Sequence, residues 1–271
     1  MTETLVLYET DDKVGFVTLN RPEKLNALNA DLRRELAAML AKADEDRTTS
    51  LVVLRGAGRS FCVGYDLSGG SGSEEWRRDA LKYHERLGAS LALEITPWYM
   101  RKPVIASVQG HALGAGCELA RFCDLTIAAD DTLFGEPEIR FSQAGPGFVM
   151  PWIIGFKKAR ELMYLGDMID APTALDLGMV NRVVPRHALG AETLRLAKRM
   201  ALIAAEALAA TKLAINRGPD AVGFRNAMQA GIDVVAPLYA AETEVGKQFR
   251  ERARNDGLGA ALKWRKAQFN T

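Results

Sequence analysis

Two glutamates, Glu118 and Glu138, occupy the positions in this sequence that most suggest chemistry. Glu118 follows a run of small residues, HALGAG (111–116), that comes directly after the apolar segment KPVIASVQG (102–110). Glu138 lies in a second glycine-containing segment, FGEPEIR (134–140), with one predicted strand between the two acids. Two carboxyl groups that face one closed pocket can act as an acid/base pair, because burial and mutual repulsion raise the pKa of at least one. A single glutamate is more often a solvated surface charge, so the hypothesis depends on the pair.

The turn before Glu118 is of the kind that brings backbone close to a ligand, because its residues are small. The helix predicted after it, GCELARFCD (116–124), presents free N–H groups and the positive end of its dipole at this turn. Such donors stabilise negative charge that develops on a carbonyl oxygen. A second small-residue turn, RGAGRSFCVGYDL (55–67), follows a buried strand and could supply a second donor. A tight strand-to-helix turn without a ligand explains the same residues, and both interpretations stay open at this point.

The same two turns argue against nucleotide binding and hydrolysis. HALGAGCE lacks the G-x-G-x-x-G pattern in its required setting, and GAGRSF lacks the Walker lysine. The chain has 271 residues and a formal net charge of +1, so no global field attracts nucleic acid or an anionic membrane. We therefore expect no nucleic-acid partner.

Cysteine and histidine usage predicts neither a redox nor a metal site. The three cysteines have mostly apolar neighbours and form no C-x-x-C pair, which favours buried reduced thiols. The three histidines are far apart in the sequence. No apolar run approaches the ~18 residues of a membrane span, and the N-terminus MTETLVLYET does not have the pattern of a signal peptide. These features predict a cytoplasmic protein without a membrane partner.

The elements that must position the two glutamates alternate between strand and helix. A hairpin is predicted around residues 11–13, a helix capped by Asn29 follows it, and buried strands are predicted at 51–56, 102–110 and 124–130. This alternation predicts the α/β class. After about Pro185 the composition becomes helical, with an apolar stripe that Pro237 should kink or interrupt. The stripe, which suits either the core or a subunit interface, consists of Phe224, Met228, Ile232, Val235 and Tyr239.

Six segments together resemble the enoyl-CoA hydratase/isomerase (crotonase) superfamily, in the family's order and spacing. They are NRPEKLNALN (20–29), GAGRSFCVGYDL (56–67), KPVIASVQGHALGAGCELARFCD (102–124), FGEPEIR (134–140), GDMIDAPTALDLGMVNRVVP (166–185) and NDGLGAALKWRKAQF (255–269). The resemblance covers nearly the whole chain. It implies a crotonase-like spiral of β-β-α units in residues 1–190, which holds the active site, and a C-terminal helical trimerisation region in residues 191–271. It also implies a homotrimer or a homohexamer.

The resemblance implies that the chain is a hydro-lyase, a 2-enoyl-CoA hydratase of fatty acid metabolism. The backbone N–H groups of Tyr65 and Ala115 would form the oxyanion hole. Glu118 would chiefly orient and deprotonate water, and Glu138 would chiefly donate the proton at Cα. An enoyl-CoA isomerase, or another crotonase-type lyase or decarboxylase, is the alternative within the fold, and a non-catalytic acyl-CoA-binding protein is the alternative outside catalysis.

The partner implied is an acyl-CoA thioester, and no cofactor or metal is expected, because coenzyme A is part of the substrate. The coenzyme A contacts carried over from the family are Lys24, Ala27, Leu28, Gly64, Tyr65, Asp66, Leu67 and Ser68. We interpret Asp66 as a loop-fixing hydrogen-bond acceptor.

The chain departs from the family pattern in three places. Tyr65 stands where the family usually has alanine. The glycine-rich stretch after Glu138 reads FSQAGPGFVMPWIIG (141–155), which makes Phe148, Met150 and Trp152 candidates for the wall of the acyl pocket. The C-terminal lysine and phenylalanine that reach a neighbour's adenine map to Trp264 and Ala261, with Lys263 or Arg265 as substitutes.

Overall fold

The computed structural model describes residues 4–67, 78–145 and 147–269. The described residues form nine β-strands in two sheets. The six-stranded sheet has the order β1-β2-β3-β4-β6-β9, and a three-stranded sheet has the order β5-β7-β8. The strands are β1 (Val6–Asp11), β2 (Val14–Leu19), β3 (Leu51–Gly56), β4 (Val104–Val108), β5 (His111–Leu113), β6 (Leu125–Ala129), β7 (Leu133–Gly135), β8 (Met168–Asp170) and β9 (Arg182–Val184).

The six-stranded sheet is mostly parallel and is covered on both faces. Only the β1–β2 pair, a hairpin at residues 11–14, runs antiparallel in it. Val52 and Leu54 pack on one face with the helix over residues 30–45. Leu51 and Val53 pack on the other face with the helix over residues 189–200. Burial on both faces explains the continuous apolar runs of β3 and β4 and confirms the predicted α/β class.

The described residues form twelve α-helices: α1 (Ala30–Glu45), α2 (Ala80–Glu94), α3 (Thr96–Tyr99), α4 (Ala115–Phe122), α5 (Met150–Ile154), α6 (Phe156–Leu165), α7 (Ala171–Asp176), α8 (Leu189–Met200), α9 (Ala205–Ala221), α10 (Phe224–Ala240), α11 (Glu244–Asn255) and α12 (Leu258–Ala267). Short 3₁₀ helices lie at Pro22–Lys24, Pro137–Phe141 and Arg186–Ala188. The Asn29 side chain accepts a hydrogen bond from the Leu32 N–H and caps α1, as the sequence predicts.

The C-terminal stripe lies inside the chain's own core. Phe224, Met228 and Ile232 of α10 are buried in one cluster with Tyr83 and Leu87 of α2. Contact with α2, not with another subunit, therefore buries this stripe.

Helix α10 continues through Pro237 to Ala240, so the predicted interruption at this proline was wrong. Pro237 lies in the last turn, where it removes only the bond to the carbonyl of Asp233. Asp233 is exposed, so water can replace that bond.

After β9 the described chain contains helices alone, while the division at residue 190 stays a prediction. The segment SGGSGSEE (68–75), whose glycines and serines predict a surface loop, lies outside the described residues. No helix within the described ranges is long and apolar enough to cross a membrane.

Candidate active site

A cavity of about 720 Å³ lies between the loop after β3, helix α2 and helix α11. Its volume is in the range of small-molecule sites. Tyr65, Ala115 and Glu138 line it, together with Leu87 of α2 and Tyr239 of α10. The cavity thus brings together three of the residues that the sequence predicts for catalysis.

The two small-residue turns meet at this cavity. Gly64 has a φ of +85°, and a Cβ atom on it would lie 2.9 Å from the Leu113 carbonyl oxygen and 3.4 Å from the Ala115 nitrogen. Only glycine allows this close approach. The Leu28 N–H donates to the Gly64 carbonyl at 2.8 Å, which anchors the first turn. Within the described ranges, neither the Tyr65 N–H nor the Ala115 N–H has an acceptor, so both are available to a ligand oxygen.

Glu138 lies in the 3₁₀ helix Pro137–Phe141 and lines the cavity. Its Oε1 is in contact with the backbone at Gly114, beside the start of α4. Its Oε2 is buried and has no hydrogen-bond partner among the described residues. Burial, and next the charge of Glu136, hold the pKa of Glu138 well above its ordinary value. This shift favours the protonated form of the carboxyl.

Glu118 lies in α4, is fully buried, and is not among the described residues that line the cavity. Its Oε1 accepts a hydrogen bond from the Gly147 N–H at 3.1 Å. A Cβ atom on Gly145, which lines the cavity, would lie 2.6 Å from this Oε1. Burial, and next the charge of Glu94, hold the pKa of Glu118 well above its ordinary value.

The sequence analysis did not find two further buried carboxyls, Glu94 and Glu136. The Tyr65 hydroxyl donates to Glu94 Oε1, and burial raises the pKa of Glu94 to about 7. Glu136 pairs with Arg121 at 2.5 Å, although burial still raises its pKa. A signal for Glu94 exists in the sequence, because residues 83, 87, 91 and 94 share one face of α2, and the first three are buried and apolar. A carboxyl on such a face lacks the solvation that a surface glutamate has.

The predicted coenzyme A loop is fixed by an ion pair. Arg21 Nη1 lies 2.5 Å from Asp66 Oδ2 and donates to the Ala27 carbonyl at 3.0 Å. This geometry agrees with a loop-fixing role for Asp66. Tyr65, Asp66 and Leu67 line the cavity, whereas Ser68 lies outside the described residues. Of the remaining predicted contacts, Lys24 is exposed, and Ala27, Leu28 and Gly64 are buried.

Helix α11 adds a cationic lining that the sequence analysis missed. Its residues Lys247, Arg250 and Arg254 line the cavity together with Arg78 and Arg86. Arg250 also forms an ion pair with Glu242 at 2.6 Å. The placement of this helix depends on tertiary packing, so no local sequence pattern predicts that its cationic residues line the cavity. The two residues predicted to reach a neighbour's adenine have other surroundings. The Arg252 guanidinium lies over the Trp264 ring, and Ala261 is fully buried.

Phe148, Met150 and Trp152 do not belong to the described lining of the cavity. The Phe148 ring packs against Gly231 of α10, and Met150 is buried among residues of α6. The Trp152 ring meets the Phe224 ring edge-on at 5.2 Å. Phe148 and Trp152 thus face the C-terminal helix α10, and Met150 faces α6, directions that residue types alone do not reveal.

The three cysteines are buried in the described part of the chain. Cys62, Cys117 and Cys123 are free and buried, and burial raises the pKa of Cys62 and Cys117 to about 12. No group of three or more His, Cys, Asp or Glu side chains among the described residues could hold a metal ion.

The similarity of this chain to known proteins shows both its fold and its family. A crystal structure of an enoyl-CoA hydratase/isomerase from Xanthobacter autotrophicus Py2 superimposes with a TM-score of 0.94 at 38% identity and covers 100% of both chains. The fold is therefore the crotonase fold. The model of the enoyl-CoA hydratase/isomerase family matches residues 9–253, and the chain belongs to this family.

Named relatives span almost the full chain. A probable enoyl-CoA hydratase of Rhizobium meliloti (strain 1021) is 35% identical over 275 residues and covers 99% of each protein. A short-chain-enoyl-CoA hydratase of Clostridium acetobutylicum is 34% identical over 269 residues, covering 97% of this chain and 96% of the relative.

Proposed function

We propose that the protein adds water across the 2,3 double bond of a 2-enoyl-CoA thioester. The observation that carries the proposal is the convergence of two unoccupied backbone donors with a protonatable carboxyl. The N–H groups of Tyr65 and Ala115 and the carboxyl of Glu138 line one cavity, with Glu118 directly behind Gly145. This combination suits a reaction that passes through an enolate.

In the proposed reaction, the thioester oxygen accepts hydrogen bonds from the Tyr65 and Ala115 N–H groups. Glu118 takes a proton from water while the hydroxide adds at Cβ, and the electron pair of the double bond moves toward the thioester to give an enolate. Glu138 then donates its proton to Cα. Glu118 must reach the water past Gly145 for this step. The pair is returned to its starting state when the proton on Glu118 replaces the one that Glu138 has given up.

The cationic side chains at helix α11 favour a substrate that carries phosphate groups. Lys247, Arg250 and Arg254, with Arg78 and Arg86, give the cavity five cationic side chains. Cations of this kind pair with the phosphates of coenzyme A, and Arg does so bidentately. No cofactor enters the proposal, because coenzyme A is part of the substrate.

The test is incubation with crotonyl-CoA in H₂¹⁸O. We expect the absorbance of the conjugated enoyl thioester to fall, and the product to be a 3-hydroxyacyl-CoA that carries ¹⁸O on Cβ. An enoyl thioester that binds but stays unchanged, on this and on longer and branched enoyl-CoA substrates, would show an acyl-CoA-binding protein instead.

An enoyl-CoA isomerase is the second candidate, and one observation favours it. Glu138 lines the cavity beside the two backbone donors, whereas Glu118 lies behind Gly145, and a single carboxyl suffices to move a proton from C2 to C4. A 3-enoyl-CoA substrate distinguishes the two reactions. Isomerisation makes the conjugated absorbance rise without incorporation of ¹⁸O, whereas hydration requires that incorporation.

We also propose a homotrimer or a homohexamer. The α10 stripe no longer supports this, but other exposed apolar side chains do, on α6 and just after it: Phe156, Tyr164, Leu165 and Met168. Solvent exposure of such a group is costly and is relieved by assembly. Sedimentation at micromolar concentration tests the proposal, and a stable monomer would contradict it.

A further inference from the structure

Glu94 is a buried carboxyl in an unfavourable position. It is the last residue of α2 and is fully buried. The C-terminal end of a helix carries the negative end of the helix dipole, so both burial and the dipole oppose its ionised form. Its Oε1 accepts the hydrogen bond from the Tyr65 hydroxyl, and its Oε2 has no partner among the described residues. Because this position destabilises the ionised carboxyl, the stability of the helix does not explain why a glutamate is buried here.

The buried Glu136 has a cationic partner, which Glu94 lacks. Glu136 pairs with Arg121 at 2.5 Å. For Glu94 no ion pair is found in the described ranges. The Arg33 guanidinium instead lies over the Tyr65 ring, 5.2 Å from its centroid, and acts on Glu94 only through its charge.

Glu94 and Glu118 are fully buried on two helices that contact each other, α2 and α4. Burial, and next the charge of Glu94, raise the pKa of Glu118. Two carboxyl groups that share a site titrate as a pair and hold one proton between them. Glu94 thus links the Tyr65 loop to Glu118, the proposed base that takes a proton from water.

We propose that Glu94 is a positioning residue of the active site, which holds Tyr65 through its hydroxyl and shares a proton with Glu118. Glu94 thereby connects the loop that offers the Tyr65 N–H to the carboxyl that handles water. The catalytic meaning of this link rests on the proposed hydration, whereas the shared proton does not.

Several charged and titratable groups surround the pair and enter its titration. Glu94 is affected by Tyr65, Glu118, Glu136 and Arg33. Glu118 is affected by Glu94, Glu136 and Arg121, and Tyr239 in turn responds to the charges of Glu138, Glu118 and Glu94. All of these groups except Glu94 itself remain in a Glu94→Gln variant, so the change isolates its charge.

A ¹³C NMR titration of the glutamate carboxyl carbons of the full chain tests the shared proton. The signals of Glu94 and Glu118 are assigned with Glu94→Gln and Glu118→Gln. In Glu94→Gln we expect the titration midpoint of Glu118 to fall by roughly 1–3 pH units, because a neighbouring negative charge is removed. An unchanged midpoint would overturn the inference, whatever the activity of the protein.

Tyr65→Phe is the second variant, since it keeps the ring and removes only the hydroxyl. The Tyr65 hydrogen bond lowers the pKa of Glu94, so its loss should raise the midpoint of Glu94. A midpoint that does not move would show that Tyr65 is not held by Glu94. The matched control is Glu85→Gln, an exposed residue of the same helix, in which neither midpoint should shift. A shift in the control as large as in Glu94→Gln would also overturn the inference.

Kinetics give the readout that a structural role alone would not produce. We expect kcat of Glu94→Gln to fall roughly 10- to 100-fold, as for a misplaced catalytic group, with little change in KM. The acidic limb of the kcat/KM profile should move to lower pH, because Glu118 must be ionised to accept a proton from water. A uniform loss at all pH values would overturn the inference. If the wild-type protein forms no hydrated product, the proposed function fails, and the NMR titration decides the shared proton independently.

Discussion

Two regions of this molecule bury charged side chains, and they differ in how completely those charges are paired. Beneath the six-stranded sheet, Lys212 Nζ donates to Asp124 Oδ2 at 2.7 Å and to the carbonyls of Pro97 and Lys102 at 2.5 and 3.0 Å. An ammonium has three donors, so Lys212 is fully satisfied. At the cavity, Glu94, Glu118 and Glu138 each keep one carboxylate oxygen without a partner in the described ranges.

This difference distinguishes buried charges that stabilise the fold from buried carboxyls that are available to a ligand. A buried charge whose hydrogen bonds are complete rigidifies the fold, and it has no capacity left for a ligand. A buried carboxyl with an unused oxygen and a raised pKa has capacity for a water molecule or a proton, which marks a candidate functional site. Variants in the two regions should therefore have opposite effects on activity and on stability.

The largest expected effect is on turnover at the cavity. We expect Glu118→Gln and Glu138→Gln each to lose roughly 10²–10⁴-fold in kcat while still folding, because each removes a general acid or base. Hydration of the best enoyl-CoA substrate measures the loss, and circular dichroism checks the fold. The exposed Glu161→Gln serves as the control and should retain full activity. If either active-site variant hydrated at a near-normal rate, the role of that residue would be wrong.

The paired region should show the reverse pattern. Lys212→Met leaves the partly exposed Asp124 without its cation and the buried carbonyls of Pro97 and Lys102 without their donor, and we expect the free energy of unfolding to fall by about 1–3 kcal/mol, with kcat of the folded enzyme unchanged. Urea unfolding measures this. The double variant Lys212→Met with Asp124→Asn should recover part of the loss, since the uncompensated charge is gone. A loss of kcat without a loss of stability would break the comparison.

The sequence carried enough information for the turns and for two of the carboxyls. Gly64, Ala115, Glu118 and Glu138 lie in local patterns that resemble the family's motifs, so they could be named as candidates, and their roles stay predictions. Glu94 lies in no such pattern, because its significance arises from contact with Tyr65, 29 residues away. Its position on the buried face of α2 was nonetheless visible.

A smaller effect concerns stability against pH. Burial raises the pKa of Glu94 from 4.5 to about 7 in the folded state. The unfolded chain releases this proton at lower pH than the folded chain does, so this group makes the protein less stable as pH rises from 4.5 to 7. Glutamine cannot ionise. As pH rises from 4.5 to 7, the free energy of unfolding of Glu94→Gln should therefore increase relative to that of the wild-type protein, by at most about 3 kcal/mol.

Urea unfolding of both proteins at several pH values measures this shift. The Glu85→Gln variant controls for the loss of a carboxyl from α2, and its difference from wild type should stay constant across the window. A constant difference for Glu94→Gln as well would mean that Glu94 is not held protonated by burial.

The smallest expected effect concerns the choice of acyl group. Leu87 lines the cavity, whereas Trp152 packs on Phe224 and is 41% exposed, although the sequence placed Trp152 at the acyl wall. Leu87→Ala should favour longer acyl chains by about 10-fold in relative kcat/KM, because one methylene is worth ~1–3 kcal/mol of discrimination. Trp152→Ala should change the same ratio by no more than about twofold, as for a surface substitution. The measurement is kcat/KM over straight, branched and aromatic enoyl-CoA substrates. If Trp152→Ala altered the preference as much as Leu87→Ala does, α5 would face the acyl group during turnover, and the original assignment of Phe148, Met150 and Trp152 would stand.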